Sequence, residues 1–177
     1  ELTFNEPNGI CFSPDEKRLY IGDSGTPHHI RVYTVAANNA ITLDTANFTS
    51  GIFAVITPGV PDGLRCDRDG RVYSSAGDGV HVYMPDGTHI GTINVPKTVA
   101  NLCFGGPDGQ TLYMTAQTSL YAVHLATLGA GVAGGNPLPA SGGGGGGGGG
   151  CGLLGLEAAL VLIVLQRRRA GPRTTSR

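Results

Sequence analysis

Three times in its first 125 residues the chain spells one short theme: NGICFSPDEKRLYIGDS from Asn8, DGLRCDRDGRVYSSAGD from Asp62 and ANLCFGGPDGQTLYMTA from Ala100. Each copy is an apolar run, a turn holding Pro-Asp, Asp-Gly or both, and an alternating run that ends near a tyrosine. Such turns reverse the chain tightly, because glycine accepts positive φ and aspartate bonds its own backbone. Further alternating runs follow each copy: IRVYTV after the first, GVHVYMPDGTHIGTI after the second and SLYAVHL after the third. Their period of two and their β-branched residues mark strands, and no helical period of 3.6 stands out before residue 150.

A four-stranded unit returning every ~40–50 residues is the pattern of a β-propeller blade. The interval of 54 residues between the first two copies is longer, and AANNAITLDTANFTSG reads as an extra loop within it. The fold expected for residues 1–125 is therefore all-β, about three blades of a partial propeller. Composition confines the core to this part. The 177 residues include 30 glycines, 11 prolines and no tryptophan, and nine of the glycines form the run Gly142–Gly150, which buries nothing. Residues 126–150, rich in Gly, Ala and Pro, read as a flexible linker.

The net charge of −1 hides an asymmetry. Setting aside Glu157 and the five arginines of the last stretch leaves seven basic and twelve acidic residues in 1–150, a net of −5. An acidic, aromatic-poor body offers nucleic acid no electrostatic footprint. Cys11, Cys66, Cys103 and Cys151 show no CxxC pair and no zinc spacing, and the first three read as small buried hydrophobes inside strands. The chain opens on Glu1 rather than methionine, which suggests processing or a fragment.

Aligned on Phe12, Cys66 and Phe104, the copies place Asn8, Asp62 and Ala100 at one equivalent position, with Asn101 a residue away. In a propeller this position starts the innermost strand, so Asn8 and Asp62 should point toward a shared axis from neighbouring blades. An amide oxygen and a carboxylate suit a hard divalent cation such as Ca²⁺. PNG and PDG are also ordinary turn sequences, and the spacing leaves that reading open. Asp67, Arg68, Asp69 and Gly70 read as a solvated hairpin turn.

These three motifs, in this order, resemble the C-terminal half of the senescence marker protein/gluconolactonase/luciferin-regenerating family, over about residues 4–125. The resemblance implies a six-bladed propeller with one divalent metal in its channel, Ca²⁺ first and Zn²⁺, Mg²⁺ or Mn²⁺ as alternatives. It also implies hydrolysis of a lactone or related small ester. The family's asparagine ligand falls on Asn8, and its aspartate, both metal ligand and general base, on Asp62. The family's metal-binding glutamate and its middle-blade residues have no counterpart, and neither Glu1 nor Glu6 sits in the glutamate motif. The implied chemistry is metal-assisted attack of water on a lactone carbonyl, with Asp62 taking the proton. Alternatives are a non-catalytic surface propeller that binds a ligand or protein partner, and a degenerate product with no function by itself.

Lesser candidates are Asp23, read as a turn cap or a channel-lining residue, and Asn101, also at the channel. His28 and His29 are adjacent on a strand and face opposite ways, while His81, His89 and His124 read as packing or surface residues. Ser24 and Ser75 lack a partnered base.

The segment 151–177 begins CGLLGLEAALVLIVLQRRRA. Leu153 to Leu165 is apolar except for Glu157, shorter than the ~17–25 residues of an ordinary spanning helix. A helix near 153–169 is expected, and the arginines after it fit a cytoplasmic C-terminus. Glycine run, apolar stretch and arginine cluster together are similar to the C-terminal sorting tails of Gram-negative bacteria, with Cys151 placed as in the myxobacterial type. That resemblance implies export to the envelope or cell surface, membrane attachment through the tail, and processing or modification at Cys151. Oligomeric state is left open by the sequence.

Overall fold

The computed structural model of the chain describes residues 3–132 and the backbone of 163–165. The described residues form three antiparallel sheets and no α-helix. The first holds β1 (Pro7–Phe12), β2 (Arg18–Asp23), β3 (His29–Val35), β4 (Ile41–Leu43) and β5 (Ile52–Val55). The second holds β6 (Leu64–Cys66), β7 (Val72–Ala76), β8 (Gly79–Tyr83) and β9 (His89–Asn94). The third holds β10 (Val99–Gly105), β11 (Thr111–Ala116), β12 (Ser119–His124) and β13 (Ile163–Leu165). Each is a meander in chain order, with one exception. The outer edge of β3 is shared, β4 pairing with Tyr33–Val35 and β5 with His29–Arg31. The stretch predicted as an extra loop therefore contains the first half of a split fourth strand, β4, and a 3-10 turn at Thr49–Gly51 that leads into the second half, β5.

Period-two alternation builds two cores from one middle sheet, because successive side chains leave a strand on opposite faces. Val72, Ala76 and Tyr83 join Leu64 and Cys66 against Tyr20, Ile30, Val32 and Phe53 of the first sheet. Tyr73, Val80 and Val82 face Leu102, Leu112, Met114, Tyr121 and Val123 of the third. Strands β7 and β8 are buried at every residue as a result. Each wholly buried Val or Leu stabilises these seams by roughly 1.5–3 kcal/mol, so a charge at Val80 would part the second sheet from the third.

The register confirms the equivalence read from the repeats. Phe12 pairs with Leu19, Cys66 with Val72 and Phe104 with Leu112. Ile10 and Phe12 thus correspond to Leu64 and Cys66, and to Leu102 and Phe104. The latter four pack in seams, whereas Ile10 and Phe12 are 55% and 48% exposed on the outward face of the first sheet.

Two details depart from expectation. Asp67, read as part of a solvated turn, is fully buried. Its carboxylate accepts from the backbone N–H of Asp69 and Arg71, from the Arg71 guanidinium and from the Tyr73 hydroxyl. It organises the turn from inside. The packed chain also runs past 125: Arg68 and Ala130 donate backbone hydrogen bonds to Leu128 and Cys66, at 2.8 and 2.9 Å. Of the stretch expected to be helical, only Ile163–Leu165 is described, as a strand beside β12, and the rest of 151–177, with Cys151, lies outside the described residues. Among the described residues no helix is long and apolar enough to cross a membrane.

Candidate functional site

The innermost strands β1, β6 and β10 begin at the same end of the three sheets, and all three starts leave the ladder. Pairing slips by one residue between Pro7 and Ile10 in β1 and between Val99 and Asn101 in β10, while β6 begins only at Leu64. The equivalent residues Asn8, Asp62 and Ala100 therefore precede or interrupt regular pairing, where a bulge re-aims a side chain.

Glycine brings these starts together. A Cβ on Gly9 would overlap the carbonyl oxygen of Asp62, and one on Gly63 would lie 2.7 Å from the Cα of Asn101. The Gly63 N–H donates to the Ala100 carbonyl at 2.8 Å. Each inner strand thus leans on the start of the next. Asn8, Asp62 and Asn101 form a stepped row across the three sheets.

Asp62 is half-buried, and burial raises its carboxyl above the ordinary 3.8, with the Asn8 side chain pulling the other way. Among the described residues no ion pair includes it. Its backbone is held by Ser75, whose buried Oγ accepts from the N–H groups of Asp62 and Gly63 at 2.9 and 3.0 Å. The exposed Asn8 side chain donates through Nδ2 to Ser24 Oγ at 3.3 Å, and that hydroxyl donates to the Pro61 carbonyl at 3.2 Å. The two serines, set aside in sequence as lacking a base, are the positioning groups here. The available signal was the Ser-Ser pair in β7, at the places that Ile21-Gly22 and Met114-Thr115 take in the other copies.

Asp23 is 1% exposed, and its carboxylate receives the backbone N–H groups of Asn5, Glu6 and Gly25. Burial alone would raise its pKa, but the three donors outweigh it and hold the carboxyl below the ordinary value. It serves as a cap for the segment leading into β1. Exposed Asn101 turns Oδ1 back onto the Leu102 N–H at 2.9 Å. Of the histidines, His29 is buried and accepts from Arg31 Nε at 2.8 Å, and burial keeps it neutral by lowering its pKa. His81 pairs with Asp78 and the exposed His124 with Asp108, each at 2.8 Å. None of the three touches Asp62.

Among the described residues no three His, Cys, Asp or Glu side chains gather as a metal group. A cation at Asp62 would draw on amide oxygens and on donors beyond these residues. A cleft of about 520 Å³ lined by Arg18, Asp44, Asn47, Arg68 and Pro85 among others opens at the opposite ends of the inner strands, and holds none of Asn8, Asp62 and Asn101.

Residues 3–118 match the family described as SMP-30/Gluconolactonase/LRE-like region. The gluconolactonase of Zymomonas mobilis is 35% identical over 134 residues, which are 73% of this chain and 37% of that protein. A gluconolactonase structure from Xanthomonas campestris superposes with a TM-score of 0.56 at 33% identity, covering 65% of this chain and 36% of that one. The structure of a calcium-binding protein, regucalcin, from Agrobacterium tumefaciens gives 0.54 at 30% identity, covering 63% and 38%. The chain spans little more than a third of the length of these relatives.

Proposed function

The chain belongs to the SMP-30/gluconolactonase/LRE-like family, and on that footing we propose that it is part of a lactone-hydrolysing propeller of the six-bladed type, with Asp62 as general base. The observation that carries this reading is the state of Asp62: half-buried, raised in pKa by burial, unpaired by any cation among the described residues, and clamped through Ser75. A carboxylate held for structure alone is normally saturated with donors, as Asp23 is. The likeness to lactone hydrolases favours this over a non-catalytic propeller.

A raised pKa makes Asp62 a stronger base for water. It takes a proton as the water oxygen bonds to the lactone carbonyl carbon. The tetrahedral adduct then collapses, the ring C–O bond breaks, and the leaving alkoxide recovers the proton from Asp62. Asn8, whose Nδ2 is committed to Ser24, keeps Oδ1 for binding, and Ser75 fixes where the Asp62 carboxylate begins. The donor set is all oxygen, which fits a hard cation, and the calcium-binding Agrobacterium relative supports Ca²⁺. Held by Asn8 Oδ1 and Asp62, such an ion would supply Lewis-acid polarisation of the carbonyl.

Two ligands meet only part of the ~6–8 oxygens that Ca²⁺ takes, so the chain by itself should bind Ca²⁺ weakly and turn over little lactone. A chimera with residues 3–118 in place of the matching span of the Zymomonas enzyme tests the reading. Asp62→Asn should abolish its hydrolysis of gluconolactone while leaving its circular dichroism unchanged. Near-normal turnover in that variant would return Asp62 to the role of a turn residue.

We also propose that 151–177 is a sorting tail directing export to the envelope or cell surface of a Gram-negative bacterium, with attachment to the membrane and processing or modification at Cys151. Its support is compositional. Residues 141–177 fused to an exported soluble reporter should retain it in the envelope, and free secretion of the intact fusion would refute the proposal.

A further inference from the structure

Cys11 and Cys66 stand 55 residues apart in sequence, on neighbouring inner strands of different sheets, and their sulfurs touch at 3.7 Å. Sequence gives no hint of the pairing. The cysteines hold different positions in the repeat, Cys66 matching Phe12 and Cys11 matching Arg65. They meet because one face of β1 and the opposite face of β6 close on the same seam. Cys66 is 4% exposed within that core, whereas Cys11 is half-buried at its margin.

We propose that Cys11 and Cys66 form a reactive dithiol that closes to an intrachain disulfide on meeting a low-molecular-weight disulfide oxidant. The asymmetry in exposure sets the order of events. The hydrogen bond shared with Cys11, together with burial, pushes the Cys66 thiol up and keeps it protonated, so the sulfur nearer solvent reacts first. Cys11 thiolate attacks the reagent, one reagent thiol leaves, and a mixed disulfide remains on Cys11. Cys66 gives up its proton and attacks Cys11 Sγ, and the second reagent thiol leaves with its electron pair. Two protein thiols are oxidised by two electrons, and one reagent disulfide is reduced to two thiols.

The bond would staple β1 to β6 three residues beyond Asn8 and four beyond Asp62. It therefore fixes the spacing of those two strand starts whatever reaction they serve, and does not depend on the lactone reading.

The test uses the full chain carrying Cys103→Ser and Cys151→Ser, so that only the pair remains. Folded protein is treated with oxidised glutathione and followed by intact mass and alkylation, beside the same chain in urea. The expected product has lost two hydrogens, takes up no alkylating reagent and yields a linked Cys11–Cys66 peptide, forming faster folded than in urea. With Cys66→Ser added, the reaction should stop at one glutathione on Cys11. Two thiols that stay alkylatable, a mixed disulfide that persists while Cys66 is present, or a closure no faster in the folded chain would each overturn the proposal.

Discussion

The hydroxyl of Ser75, wholly buried in β7, sits 2.9 Å from the backbone nitrogen of Asp62 and accepts its hydrogen bond. The same oxygen takes the N–H of Gly63, so a middle-strand residue sets the direction in which the inner strand starts. Ser75→Ala leaves the Asp62 N–H without its acceptor and should cost about 1–2 kcal/mol in chemical denaturation. In the chimera it should lower lactone turnover by roughly 10- to 100-fold with little change in KM, because it displaces the base proposed above while leaving the binding surface intact. An unchanged turnover would detach Ser75 from the site.

Gly9 lies directly against the segment that leads into the second sheet. A methyl group there runs into the Asp62 carbonyl, which is backbone and cannot swing aside. Gly9→Ala should therefore destabilise the chain by about 2–3 kcal/mol, read as a shift of the urea midpoint at constant slope. Gly91, which has open space where a Cβ would be added, is the matched control and should tolerate alanine.

Two carboxylates give opposite pH signatures. Asp62 has a raised pKa in the fold, so the folded state holds the proton to higher pH than the unfolded chain does. Stability falls as pH climbs from about 3.8 through the folded value, and the cost persists at neutral pH. Measured without added cations, Asp62→Asn should gain stability at pH 7 and lose that advantage below pH 4. Asp23 has a lowered pKa, so its contribution is present above 3.8 and fades as pH falls through the folded value. Asp23→Asn should be most damaging at neutral pH and approach the parent in acid. Parallel stability curves for parent and variant would refute either assignment.

The turn of the first repeat carries a local misfit. Glu16 has φ 57°, in the left-handed region, where the third repeat has Gly109 at φ 71°. Glu16→Gly removes the Cβ clash and adds freedom to the unfolded chain, leaving a net gain of about 0.5–1 kcal/mol. Thermal denaturation would show it as a small rise in Tm, and a fall would mean that the Glu16 side chain holds the turn in some other way.

What the sequence made legible was whatever repeats. Alternation set strand and face, Asp-Gly set the reversals, and Phe12, Cys66 and Phe104 set the register that aligns Asn8 with Asp62. Features that depend on one sheet meeting another were hidden. Nothing local marks Ile41–Leu43 as a strand, since its pairing comes only from the edge that β3 presents. Asp67 looks like any turn aspartate until Tyr73 and Arg71 fold over it. Ser75 reads as a polar residue in a strand, and its role appears only when the start of β6 lies beside it. The Cys11–Cys66 contact belongs to this same class.

The outward face of the first sheet, with Ile10 and Phe12, has the pattern that the second and third sheets turn toward their predecessors. The outward face of the third sheet, with Cys103 and Tyr113, has the pattern that the first and second turn toward their successors. The two ends of the body are thus unlike each other and complementary, the geometry of a head-to-tail link rather than of a two-fold pair. Such a contact repeats by one rotation, and nothing in the contact counts how many times. Where such a series closes is decided by the angle each seam adds, so in the propeller proposed above a substitution that tilts a seam by a few degrees would change the closure while leaving every sheet correctly folded.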